Sequence, residues 1–82
     1  MKYIVYGQPQ CNYCIRAVNL LRVKQVAHEY IDIRTDTEAF KYIVETEGHK
    51  TVPQVYTEDA VGIREYIGGS DDLVEHFKKI SH

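Results

Sequence analysis

Residues 3–18 read Tyr-Ile-Val-Tyr-Gly-Gln-Pro-Gln-Cys-Asn-Tyr-Cys-Ile-Arg-Ala-Val, and the hydrophobic period changes at Cys11. Before that point, Lys2 to Gly7 is rich in β-branched and aromatic residues, the pattern of a buried strand closed by Gly7 and Pro9. After it, Cys14, Ala17, Val18 and Leu21 recur at i, i+3, i+4 and i+7, one face of a helix predicted to run to about Ala27. Cys11 and Cys14 are the only cysteines of the chain, and they stand together at this strand-to-helix junction. Thiols so spaced at a helix start form a redox pair: one sulfur attacks a disulfide and the other lies close enough to resolve the intermediate.

Working outward, His28 to Ile33 reads as a second strand. Thr35 opens a capping-box pattern with Glu38, and Phe40, Ile43 and Val44 form the apolar face of a second helix that stops at Gly48. Val52 to Thr57 and Val61 to Ile67 read as a strand pair around a turn at Glu58-Asp59-Ala60, ended by Gly68-Gly69. Ser70 is expected to cap a last helix, with Asp71 and Asp72 in its first turn and Lys78 and Lys79 in its last, matching the helix dipole. Leu73, Phe77 and Ile80 give that helix an inward face. The order is β-α-β-α-β-β-α. A right-handed parallel crossover followed by an antiparallel pair predicts an α/β fold. It has a four-stranded mixed sheet and three helices spread over both faces, a thioredoxin-like topology.

The 82 residues are expected to form a single domain, 1–82. A net charge of −2 offers no electrostatic argument for nucleic acid or an anionic membrane as partner. No apolar run approaches the roughly 20 residues of a spanning helix. Met1-Lys2-Tyr3 leads straight into a strand without a signal-peptide pattern, so a cytoplasmic location is expected. There a cysteine pair is catalytic or metal-binding rather than a structural disulfide. Zinc needs about four ligands, and His28, His49, His76 and His82 are scattered without paired spacing. A c-type haem needs histidine directly after the second cysteine, where Ile15 stands. No metal site is therefore expected, and redox catalysis is the reading that survives.

The two sulfurs are expected to differ. Cys11, at the first helical turn, meets unpaired backbone N–H groups that favour a thiolate, which makes it the nucleophile. Cys14 shares the buried face with Ala17 and Val18 and is the resolving thiol.

Three motifs, in order, resemble the glutaredoxin family: Cys11-Asn12-Tyr13-Cys14 with Arg16-Ala17, Thr51-Val52-Pro53-Gln54, and Ile67-Gly68-Gly69-Ser70-Asp71-Asp72-Leu73. The resemblance covers the whole chain. It implies a cis bond before Pro53, with the backbone of Val52 pairing with the cysteinyl unit of glutathione as an added strand. It further implies that Thr51 belongs to the same wall of the site and that Tyr13 flanks the thiol. Gly69, Ser70, Asp71 and Asp72 would receive the γ-glutamyl end, its carboxylate on free helix N–H groups and its ammonium beside an aspartate. Thioredoxin is a poor match, because Gln10 and Asn12-Tyr13 replace its characteristic residues.

Three positions depart from the family pattern. Asn12 stands where many members have proline, and Gln8 stands where lysine or arginine is common; Arg16, Arg34, Lys41 and Lys50 are the candidate replacements. Glu58 to Tyr66 is longer than the usual connection and suggests a protruding hairpin. The resemblance implies a monomeric, glutathione-dependent reductase of protein disulfides and glutathionylated thiols, with glutathione as co-substrate and ribonucleotide reductase as a possible acceptor. Two rival readings accompany it. One is a dimeric carrier of a [2Fe–2S] cluster held by Cys11 and glutathione, left open by Asn12 but not favoured. The other is a redoxin reduced by thioredoxin reductase, against which Asp71 and Asp72 argue.

Overall fold

In the computed structural model, which describes residues 1–80, strand β1 (Lys2–Gly7) lies in the interior of a four-stranded sheet of order β2-β1-β3-β4. His82, weighed above as a metal ligand, is outside the described residues. β1 pairs in parallel with β2 (His28–Asp32) and antiparallel with β3 (Gln54–Glu58), which in turn pairs antiparallel with β4 (Arg64–Gly68). The predicted parallel crossover and antiparallel pair are therefore both present.

Every residue from Tyr3 to Gly7 is buried, as a strand covered on both faces requires. The alternation of β1 divides the core in two. Tyr3 and Val5 pack with Ala17 and Leu21 of α1 (Asn12–Val23) and with Leu73 and Phe77 of α3 (Ser70–Ile80). Ile4 and Tyr6 point to the other face and pack with Ile33, Ala39, Ile43 and Tyr56. That face is covered by α2 (Thr37–Phe40), which runs directly into a π-helical turn (Lys41–Thr46).

Several boundaries differ from expectation, each for a local reason. α1 ends at Val23 rather than near Ala27, because Gln25 takes the left-handed conformation at φ 57°. The Gln25 N–H is then taken by the Arg22 carbonyl at 3.0 Å and the Val26 N–H by that of Leu21 at 3.3 Å, a helix-terminating arrangement. Asp36, not Thr35, caps α2: its Oδ1 accepts the Ala39 N–H at 3.0 Å. The Thr35 hydroxyl is instead directed to the Asp32 carbonyl at 3.4 Å.

β4 begins at Arg64, so Val61 belongs to the turn and is 80% exposed. Asp59 organises that turn, its Oδ1 accepting the N–H groups of Val61 at 3.0 Å and Ile63 at 2.9 Å. Ser70 is the first residue of α3 rather than its cap. The Gly69 carbonyl takes the first helical bond, from the Leu73 N–H at 3.0 Å. Asp72 reaches back to accept the Gly69 N–H at 3.0 Å, half of a capping box with glycine at the cap. Ile80, expected to face inward, is exposed at the end of α3. Among the described residues, no helix is long and apolar enough to cross a membrane.

Candidate active site

The loop Gln8-Pro9-Gln10 carries the chain from β1 to α1, and Gln10 sits in the left-handed region at φ 60°. That turn delivers Cys11 as the N-cap of α1 in an extended conformation. Its Sγ accepts the Cys14 N–H at 3.2 Å, one of the helix-start donors that have no partner within the helix. A sulfur in this position is held by a backbone dipole suited to negative charge. The same Sγ lies 3.9 Å from the Val52 carbonyl oxygen, across the site.

Cys14 is 2% exposed and packs behind Gly7, where an added Cβ would meet its Sγ at 3.0 Å. Burial, followed by the hydrogen bond its S–H makes to the Cys11 sulfur, pushes the Cys14 thiol up to about 12. At pH 8 it is then ionised to only ~10⁻⁴, so it is a poor nucleophile until a mixed disulfide forms beside it. Brief treatment of the reduced protein with iodoacetamide at that pH is therefore expected to carbamidomethylate Cys11 almost exclusively. Peptide mapping that found both cysteines labelled at similar rates would contradict this asymmetry.

Cys11 opens into a cleft of about 650 Å³, also lined by Gln8, Asn12, Tyr13, Ile33, Phe40, Ile43, Val44, His49, Lys50, Thr51 and Val52. Val52–Pro53 is a cis bond. The π-helical turn shapes the opposite wall, with the Glu47 N–H bonded to the Tyr42 carbonyl five residues back. One extra residue per turn lets Ile43 reach the core, while Phe40 and Val44, expected to point inward with it, stay 44% and 37% exposed at the cleft.

Of the residues singled out from the sequence, Cys11, Tyr13, Thr51 and Val52 meet in this cleft. Gly69 lies beside Pro53, where an added Cβ would come 3.6 Å from the Pro53 carbonyl oxygen. The start of α3 thus borders the same wall, and the N–H groups of Ser70 and Asp71 precede its first helical bond. Asp72 is not in the cleft lining; it opens beside Tyr66, Glu75 and His76 in a neighbouring depression. Of the four cations considered, Lys50 lines the cleft, Arg34 lies in an adjoining pocket with Gln8, and the Arg16 guanidinium sits over the Tyr13 ring at 5.7 Å. His49 and Phe40 are cleft residues that sequence reasoning did not place there. For His49 the available signal was its position directly before Lys50-Thr51-Val52-Pro53. Among the described residues, no three His, Cys, Asp or Glu side chains converge to hold a metal ion.

A partly exposed thiol at a helix start, a buried partner one turn on and a cis-proline wall opposite make the site of a dithiol oxidoreductase of thioredoxin-like fold. The glutaredoxin family model matches residues 3–61. Glutaredoxin 1 of Rickettsia conorii is 39% identical over 74 residues, covering 88% of this chain and 68% of its own length. Glutaredoxin-1 of Homo sapiens is 35% identical over 79 residues, covering 89% and 70%. The solution structure of glutaredoxin from Brucella melitensis superposes with a TM-score of 0.74 at 30% identity, over 96% of this chain and 80% of that one. The chain belongs to the glutaredoxin family, and its enzymatic class is that of the thiol–disulfide oxidoreductases.

Proposed function

We propose that the chain uses glutathione to reduce glutathionylated thiols and protein disulfides. The observation that carries this reading is the Cys11 sulfur, held on the α1 start and facing the Val52 backbone across an open cleft. Cys11 thiolate attacks the glutathione sulfur of a substrate; the protein thiolate leaves, and Cys11 keeps the glutathione in a mixed disulfide. A second glutathione thiolate attacks that sulfur, oxidised glutathione leaves, and Cys11 is restored. With a protein disulfide, Cys11 thiolate attacks one sulfur and the first protein thiolate leaves; Cys14 then gives up its proton and attacks Cys11 Sγ, releasing the second protein thiol and leaving a Cys11–Cys14 disulfide. Two glutathiones then reduce it, becoming one oxidised glutathione.

The binding groups line the cleft and continue past cis-Pro53 to the start of α3. The Val52 N–H has no backbone partner among the described residues, which leaves it open to an added strand. Thr51 and Tyr13 flank it. The free N–H groups of Ser70 and Asp71, beside Gly69 and cis-Pro53, suit the γ-glutamyl carboxylate, and Asp72 suits its ammonium. Lys50 is the cation that takes over from the family's residue at Gln8. In this reading the protein acts as a monomer in the cytoplasm, with ribonucleotide reductase among its acceptors.

Asp72 both caps α3 and, in this assignment, meets the ligand, and two variants separate the roles. Asp72→Asn keeps an oxygen for the Gly69 N–H and removes the charge; Asp72→Ala removes both. In a glutathione-coupled assay each is expected to raise KM for glutathione by about five- to tenfold, the scale of one partly solvated charged hydrogen bond. Only Asp72→Ala is expected to lower the melting temperature as well. An unchanged KM in Asp72→Asn would remove Asp72 from the binding site.

A further inference from the structure

We propose that His49 makes glutathione recognition proton-dependent, its imidazole serving as a proton-gated ligand for the tripeptide's second carboxylate. The inference rests on the glutathione reading above and extends it to the regulation of the same cleft.

The hydrogen bonds decide the tautomer. His49 Nε2 lies 2.9 Å from the Tyr56 hydroxyl, which donates to Glu47 Oε1 at 2.7 Å. A phenol has one proton, and here it goes to the carboxylate. The Tyr56 oxygen can therefore only accept from His49, so Nε2 carries a hydrogen. Burial and then Glu47 hold the Tyr56 phenol far above its ordinary range, so the arrangement persists at any physiological pH. In neutral His49 the other nitrogen, Nδ1, is a bare acceptor, and it has no partner among the described residues.

The ring is also fixed in place. It stacks on Tyr66 at 4.9 Å and 28° and meets Tyr56 edge-on at 6.3 Å, while the backbone N–H of His49 donates to the Ile43 carbonyl at 2.9 Å and fixes the loop that carries the ring. A ring flip would exchange the two nitrogens and break the chain to Tyr56 and Glu47.

His49 lines the cleft with Cys11 and Lys50. With the glutathione sulfur at Cys11, its cysteinyl unit on Val52 and its γ-glutamyl end at the start of α3, the glycyl carboxylate is left to extend into this cleft. A lone pair on Nδ1 repels that carboxylate, whereas an Nδ1–H donates to it with full charge assistance. Proton uptake at His49 and carboxylate binding are thus linked, and each strengthens the other. The ionisable groups around the ring are Glu47 through Tyr56, Lys50 on the same loop, Tyr56 on β3, Tyr66 on β4 with Asp72 of α3 beyond it, and Cys11 across the cleft.

The test compares KM for glutathione with KM for its glycyl ethyl ester, which lacks the charge, in the wild type, His49→Phe and His49→Gln. Taking the ratio at each pH cancels ionisation of the thiols. In the wild type the ester-to-acid KM ratio is expected to rise about fivefold as pH falls from about 8 to about 5.5, the scale of one solvated charge pair. Both variants are expected to give a flat ratio; the glutamine retains a donor for Tyr56 and so guards against loss of the fold. A flat ratio in the wild type, or the same slope in the variants, overturns the role of His49 while saturable glutathione dependence persists. Loss of that dependence in the wild type would instead overturn the functional reading beneath it.

Discussion

Cys11→Ser is expected to show no disulfide reduction above background, while Cys14→Ser keeps turnover of a glutathionylated substrate and loses reduction of protein disulfides. The division follows from where the sulfurs sit. In the proposed mechanism every route begins with attack by Cys11, the only sulfur that both caps a helix and faces the cleft. A serine hydroxyl there keeps the cap but has essentially no nucleophilic anion at neutral pH, so rates are expected to fall by at least ~10³-fold. Cys14 is buried and holds its proton up to about 12. In the proposed mechanism it acts only when a mixed disulfide on Cys11 is not cleared by glutathione. The monothiol route does not need it, and its turnover is expected to stay within about threefold of wild type. Complete loss of deglutathionylation in Cys14→Ser would reverse the assignment of nucleophile and resolver.

How much of this was legible beforehand depended on how local the cause was. The Cys11 cap, the burial of Cys14 and the β1-α1 unit follow from spacing within one turn, and they were readable. The end of α1 was not, because apolar periodicity continues through Val26, which packs on the core from beyond the left-handed Gln25. Thr35 and Asp36 are both good caps. The choice between them was made by the Asp32 carbonyl, which takes the Thr35 hydroxyl. The π-helical turn that sends Phe40 and Val44 to the cleft leaves no periodic signature over six residues. His49 illustrates the same limit for the site. Its partners Tyr56 and Tyr66 come from two later strands, so its tautomer is a product of tertiary structure.

Gly68→Ala is expected to destabilise the fold strongly although it adds only one methyl group. Gly68 ends β4 at φ 130°, a conformation costly for any residue with a Cβ. An added methyl would also run into the Asp72 carboxylate and come within 2.7 Å of its Cβ and Cγ. Asp72 cannot simply swing away, since its Oδ2 holds the Gly69 N–H that begins α3. Strain and overpacking together are expected to cost about 2–4 kcal/mol, or at least ~10 °C in melting temperature for a domain of this size. Gly62→Ala supplies the control for backbone strain, because Gly62 has φ 90° but no atom within 4 Å of an added Cβ. It is expected to lose only about 1 kcal/mol. In a double-mutant cycle, Gly68→Ala and Asp72→Ala are expected to be less than additive, since removing the carboxylate relieves the contacts with Cγ and Oδ2, leaves only that with Cβ, and frees the side chain from the Gly69 N–H. Additive losses, or a Gly68→Ala variant no less stable than Gly62→Ala, would show that the contact with Asp72 does not set the geometry of the α3 start.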